Sequence, residues 1–141
     1  MPQVLLVVGP DPLLCEREVE RRLVEMAADG VPTIVQRHDA AELDALPELR
    51  TASLLEERKC VVIRGVEALS GEANRPLRDQ IEQYAASPDP TNVLVLVARN
   101  VGRIPTLAKA VAAAGEKVDV AVPAEHDGRA WERCPCDQKA A

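Results

Sequence analysis

The residues able to do acid–base or metal chemistry are few and scattered. The chain has two histidines, His38 and His126, and four cysteines. His38 lies between Arg37 and Asp39 at the end of an apolar stretch, where a histidine reads as a surface residue rather than a base. No serine, histidine and acid share a spacing that would make a triad. Asp39 and Glu42 could pair as acids, but a helix start capped by Asp39 explains both. Cys134-Pro135-Cys136 could ligate a metal or close a strained disulfide. No further His or Cys pair accompanies it in sequence, so no metal ligands are assigned. Cys15 and Cys60 sit inside apolar patterns and read as small core residues.

Phosphate chemistry is the next possibility, because Val4–Val8 is an unbroken apolar run that ends at a glycine. A phosphate loop needs a Gly-rich backbone, a lysine for the β- and γ-phosphates and a hydroxyl for Mg²⁺. The same place here reads Gly9-Pro10-Asp11-Pro12-Leu13-Leu14. Two prolines remove amide donors, Asp11 repels phosphate, and the lysine is missing. The third apolar run ends Ile63-Arg64-Gly65 and the fourth Ala98-Arg99-Asn100, so the metal-holding acid is missing as well. No dinucleotide Gly-x-Gly-x-x-Gly occurs. The chain reads as non-catalytic, with no cofactor and no metal.

One segment has an unusual pattern. Ser53-Leu54-Leu55-Glu56 matches a capping box, with Ser53 as the helix cap and Glu56 three residues on. The apolar run starting at Cys60 leaves room for about one helical turn. Neighbours on a helix point about 100° apart, so one short turn does not easily bury both Leu54 and Leu55 in one core. The pair reads as a plug for another protein's pocket; the plainer reading is core packing beneath the following strand. The charged run Glu56-Glu57-Arg58-Lys59 reads as a solvated connection.

These segments must be held by a scaffold that alternates strand and helix. Strands are expected at Val4–Val8, Thr33–Arg37, Cys60–Arg64, Val93–Val97 and Val118–Val122. A helix opens at Asp11-Pro12 and runs to about Ala28, carrying the stripe Cys15, Val19, Leu23, Met26, with Glu16, Glu18 and Glu20 early in it to suit its dipole. Others run from Pro76, through Leu77, Ile81, Tyr84 and Ala85, and from Pro105 to Gly115. Asp39 is expected to cap a further helix through Ala45, Pro47 to restart a turn through Arg50, and Gly65–Ala73 to form a loop. Unbroken apolar strands joined by helices predict an α/β fold, a three-layer αβα domain on a five-stranded, mostly parallel sheet without nucleotide motifs.

Composition sets outer limits. With 141 residues, 47% hydrophobic and 28% charged, the chain suits one globular domain, and with aromatics at 1% and no Phe its core must be aliphatic. A net charge of −6 opposes free-standing nucleic-acid binding. No apolar run reaches membrane-span length and the start lacks a signal-peptide pattern, so a cytoplasmic setting without a membrane partner is expected.

In order along the chain, Gly9-x-Asp11-x-Leu13-Leu14, Asp39-Ala-Ala-Glu42-Leu43, Ser53-Leu54-Leu55-Glu-Glu-Arg58-Lys59 with the strand to Arg64, Val66-Glu67-Ala68-Leu69, Pro88 to Val97 and Ala110 to Val120 form a set. This set, spanning about residues 4–123, resembles the δ subunit of bacterial DNA polymerase III, the clamp-opening subunit of the clamp loader. The resemblance implies a domain related to AAA+ ATPases but lacking their catalytic loops, within a DNA-directed DNA polymerase holoenzyme. It implies that Leu54 and Leu55, capped by Ser53, insert into the hydrophobic pocket of the β sliding clamp. The domain would then strain the clamp open for loading on primed DNA.

Two departures carry consequences. Leu55 stands where the family commonly has Phe, a loss on the order of 1 kcal/mol or more in buried area and fit. Weaker clamp binding, or a clamp pocket with matching changes, is therefore expected. The family's lid and collar domains are absent, so residues 1–123 are expected to be a clamp-binding first domain alone, through truncation, a shifted frame or excision. Residues 124–141 are expected to be a non-matching tail. Without the collar, stable assembly with the other loader subunits is not expected, and DNA is contacted only indirectly. Two other readings stand beside this one. One is a nucleotide-binding switch or enzyme using the crevice near Gly9, Arg64 and Asn100 at the strand carboxyl ends. The other is a fragment without activity of its own.

Overall fold

The computed structural model describes residues 3–47, 49 and 57–120. Strand β1 (Val4–Val8) leads into helix α1 (Pro12–Ala27), then β2 (Thr33–Asp39), β3 (Arg58–Arg64), α2 (Arg75–Ala86), β4 (Val93–Ala98), α3 (Pro105–Ala114) and β5 (Glu116–Asp119). The sheet order is β2-β3-β4-β1-β5 and every pairing is parallel. Helices between β1 and β2, β3 and β4, and β4 and β5 provide crossovers of the kind parallel strands need.

Strand alternation sorts the core into two layers. Val4, Leu6, Val61, Ile63, Leu94 and Leu96 face α2 and α3, meeting Leu77, Ile81, Leu107 and Val111. Leu5, Val7, Cys60, Val62 and Val95 face α1, meeting Cys15, Val19 and Met26. The three central strands are therefore buried on both sides, which is why they read as continuous apolar runs. The expected three-layer αβα architecture is the one observed.

Charge pairs tie α1 to both sheet edges. Arg37 of β2 donates to Glu16 at 2.7 Å and Glu20 at 2.5 Å. Arg22 donates to Glu18 at 3.0 Å and to Glu116 of β5 at 2.5 Å. These carboxylates therefore serve as ion-pair partners, and none lies in the first turn where the helix dipole would act. The outer flank of β2 is less covered, with Ile34 and Val35 both exposed.

Several boundaries differ from expectation. Asp39 does act as a cap, its Oδ1 accepting from Ala41 N at 3.0 Å, but the element it caps is a single 3-10 turn over Ala40–Glu42 and not a helix through Ala45. Residues 65–73 hold 3-10 turns at Val66–Leu69 and from Glu72 rather than plain loop. Strand β5 starts at Glu116, two residues before the expected start. Gly115 explains the shift: a Cβ there would fall 1.9 Å from Val4 O. The chain thus meets β1 as soon as α3 ends, and pairing begins at Leu5↔Glu116. Strand β2 runs on to Asp39 because its ladder with β3 stays in register to Arg64.

Candidate functional site: the two ends of the sheet

At the carboxyl ends of the strands lies an open cleft of about 520 Å³. Glu16, Asp39 and Glu67 line it against Arg64 and Arg99, so its charge does not favour phosphate. Three of the amides around it are also occupied. Gly9 N donates to Ala98 O at 3.1 Å. Leu13 N, at the start of α1, donates to Asp11 Oδ1 at 2.9 Å. Arg99 N, past the end of β4, donates to Glu67 Oε1 at 2.9 Å. Asn100 accepts from Gly102 N at 3.3 Å within its own turn. In an anion site such amides would face the ligand; here side chains and backbone of the chain itself satisfy them.

Gly9 has a packing reason of its own. A Cβ there would sit 2.4 Å from Val120 O and 3.2 Å from Cys15 Sγ. Val120 N donates to Val8 O at 2.7 Å, continuing the β1–β5 ladder past Asp119. The glycine thus lets β5 lie against the end of β1. Burial pushes the Cys15 thiol up, helped by the Asp11 carboxylate, and pushes Cys60 up to about 11. Both are buried, unreactive thiols, as their apolar surroundings predict. His38 departs from the plain surface reading. It is half-buried, in register with Ile63, and its Nε2 is buried without a hydrogen-bond partner among the described residues.

At the opposite, amino end, backbone bonds converge on the two flanks of residues 50–56. Ser53, Leu54 and Leu55 lie outside the described residues, as do Glu48, Arg50 and residues 121–141. The flanks themselves are tightly held. Leu49 is 2% exposed. Leu46 N donates to Gln80 Oε1 of α2 at 2.8 Å. On the far side, Arg58 N donates to Pro32 O at 2.7 Å, just ahead of β2. Between the flanks sits Asn92, 4% exposed, the residue before β4. Its Nδ2 donates to Leu49 O at 2.5 Å and its Oδ1 accepts from Lys59 N at 2.9 Å.

Arg58 corrects the reading of residues 56–59 as a solvated connection. It begins β3 and is only 8% exposed. Its guanidinium reaches across to the end of α1, donating to Met26 O at 3.4 Å and pairing with the Asp29 carboxylate. The helix's carboxyl-terminal dipole and the carboxylate both suit a cation there. Asp29 also accepts from Val31 N at 2.9 Å. That amide, then the Arg58 guanidinium, hold the Asp29 carboxyl below the usual range.

Sequence reasoning missed Arg58, Asp29 and Asn92. The available signal was positional: each is a polar residue directly at the mouth of an apolar run or the end of a helix. Among the described residues no group of His, Cys, Asp and Glu is arranged to hold a metal ion. Nor is any described helix long and apolar enough to cross a membrane.

The fold has relatives among solved structures. The DNA clamp loader delta protein of Bacillus subtilis matches at a TM-score of 0.64 and 21% identity, over 84% of this chain and 38% of that one. The Orc1 protein of Aeropyrum pernix, solved in complex with DNA, matches at a TM-score of 0.47 and 15% identity, over 84% of this chain and 39% of that one. The chain thus spans less than two fifths of the length of either. No family model matches it, and no curated protein does. The α/β fold expected from the resemblance is the fold shared with the Bacillus delta protein.

Proposed function

We propose that the chain is a clamp-binding domain of the δ type, acting in DNA replication. Leu54 and Leu55, with Ser53 as their helix cap, enter the hydrophobic pocket of a β sliding clamp. The αβα domain is the rigid body that holds them and strains the clamp open. Other clamp-loader subunits are partners of the longer family proteins, and DNA is met only through the clamp. The domain contributes no catalysis of its own.

One observation carries this reading: the fold of a clamp loader delta protein recurs here with three amides of the nucleotide crevice bonded from within. The amides of Gly9, Leu13 and Arg99 are all bonded inside the chain, which supports a scaffold that works through a partner. Capture on immobilised β clamp encoded in the same genome tests it. Leu54→Ala with Leu55→Ala is expected to abolish capture and leave the melting temperature unchanged. Capture equal to wild type would rule the reading out. The alternative, a nucleotide switch at the crevice, draws on the cleft beside Arg64 and Arg99. Tight binding of ATP with Mg²⁺ in a titration would favour it.

A further inference from the structure

We propose that the open edge of β2 is an interaction surface that takes β2 of a second copy of this chain as an antiparallel strand, joining two sheets into one. The two edges of the sheet are built differently. β5 is four residues long and carries Glu116, Lys117 and Asp119, the short, charged form that discourages an added strand. β2 is seven residues long, holds no proline, and keeps an unbroken ladder with β3 from Thr33 to Asp39. Ile34 and Val35 in it are 45% and 40% exposed. Its one arginine does not guard the edge, because Arg37 is drawn onto Glu16 and Glu20 of α1.

The ladder fixes which backbone groups face outward. Arg58 N donates to Pro32 O, whereas Lys59 N turns the other way, to Asn92 Oδ1. In a parallel ladder alternate residues point both N–H and C=O to one neighbour. Even-numbered residues of β2 therefore face β3, and Thr33, Val35 and Arg37 face the open edge. None of these outward groups has a partner among the described residues. An extended strand satisfies a row so spaced. The row is symmetric about Val35, which is what singles out a second copy. A two-fold axis there sets Val35 against its own equivalent and Arg37 against the neutral Thr33 of the second copy. Exposed apolar surface then meets apolar surface, and no like charges stand opposite each other. A pair of seven-residue strands buries less than the roughly 1,200 Å² of a stable interface, so the dimer is weak and concentration-dependent.

The test is sedimentation of the full chain under reducing conditions, from about 1 μM to about 1 mM, the range in which weak interfaces fill. A reversible monomer–dimer equilibrium is expected. Amide exchange locates it. In the dimeric sample the amides of Thr33, Val35 and Arg37 are expected to slow about tenfold relative to dilute protein, while that of Gln36, turned to β3, does not change. Val35→Pro removes an outward N–H and leaves the β3 ladder whole, and Val35→Lys adds the charge that the edge lacks. Both are expected to weaken dimerisation about tenfold or more, with the melting temperature of the dilute protein close to wild type. Should Val35→Pro unfold, Val35→Lys decides alone. A chain that stays monomeric throughout, a dimer whose three outward amides exchange as in dilute protein, or a folded variant that dimerises like wild type overturns the proposal.

Discussion

The two ends of this sheet use their polar groups in different ways. At the carboxyl end, amides that could face a ligand are turned inward: Asp11 caps α1, Glu67 takes the amide of Arg99, and Gly9 bonds to Ala98. At the amino end, side chains reach across elements to hold backbone: Asn92 bonds Leu49 and Lys59, and Arg58 reaches Met26. At one end three amides are bonded within the chain, and at the other side chains hold the flanks of a segment. In an α/β sheet the carboxyl end is the usual place for ligands. Here the side chains that hold the backbone on either side of residues 50–56 lie at the other end.

That contrast can be broken by mutation. The largest effect is expected from Asn92→Leu, which removes the bond to the buried Leu49 O and the bond to the half-buried Lys59 N. A loss of about 2–4 kcal/mol is expected in urea unfolding. A loss below about 0.5 kcal/mol would mean water replaces the amide and the amino end is not organised as described. Gly9→Ala comes next, at about 1–3 kcal/mol, because the new Cβ pushes on Val120 O at 2.4 Å. The loss should appear as detachment of β5, read by faster amide exchange at Val120.

Asp11→Ala should cost about 1 kcal/mol as a lost helix cap. It frees the amide of Leu13, so it also sharpens the comparison. The melting temperature is expected to stay unmoved by ATP with Mg²⁺. An ATP-dependent rise in the variant would show a nucleotide site hidden behind one carboxylate. The smallest effect is with pH. Asp29 has a folded pKa below its ordinary value, so its contribution is present above the ordinary carboxylate range and lost as pH falls through the folded value. Glu18 and Glu116 are lowered in the same direction, Glu18 first by Arg21 and Glu116 by Arg22. Melting temperature should therefore drop on acidification below about pH 4, and Asp29→Asn should shrink that drop slightly.

Most of the scaffold was legible from residue order. The runs at Val4–Val8 and Val93–Val97 declared buried parallel strands because both faces are covered. Asp11-Pro12 declared the start of α1 through its cap and its fixed φ. Where the reading failed, the deciding contact was non-local. Residues 116 and 117 are charged, so only the approach of Gly115 to Val4 reveals that β5 starts there. Arg58 looked solvated because its counter-charge, Asp29, lies on another element. Asn92 was invisible for the same reason, since neither of its partners is close in sequence. The missing phosphate loop was legible as a pattern; that the amide of Arg99 is bonded internally was not, because its pairing with Glu67 needs the fold.

The chain contains one tyrosine, and Tyr84 is 3% exposed with its hydroxyl accepting from Asp89 N at 3.2 Å. A spectroscopist therefore inherits a built-in reporter. Isotope labelling of tyrosine alone yields one set of ring resonances, from a ring lodged against the turn that carries Asn92. Following that signal during a titration with clamp would show whether the proposed docking reaches the turn before β4, without adding any foreign probe.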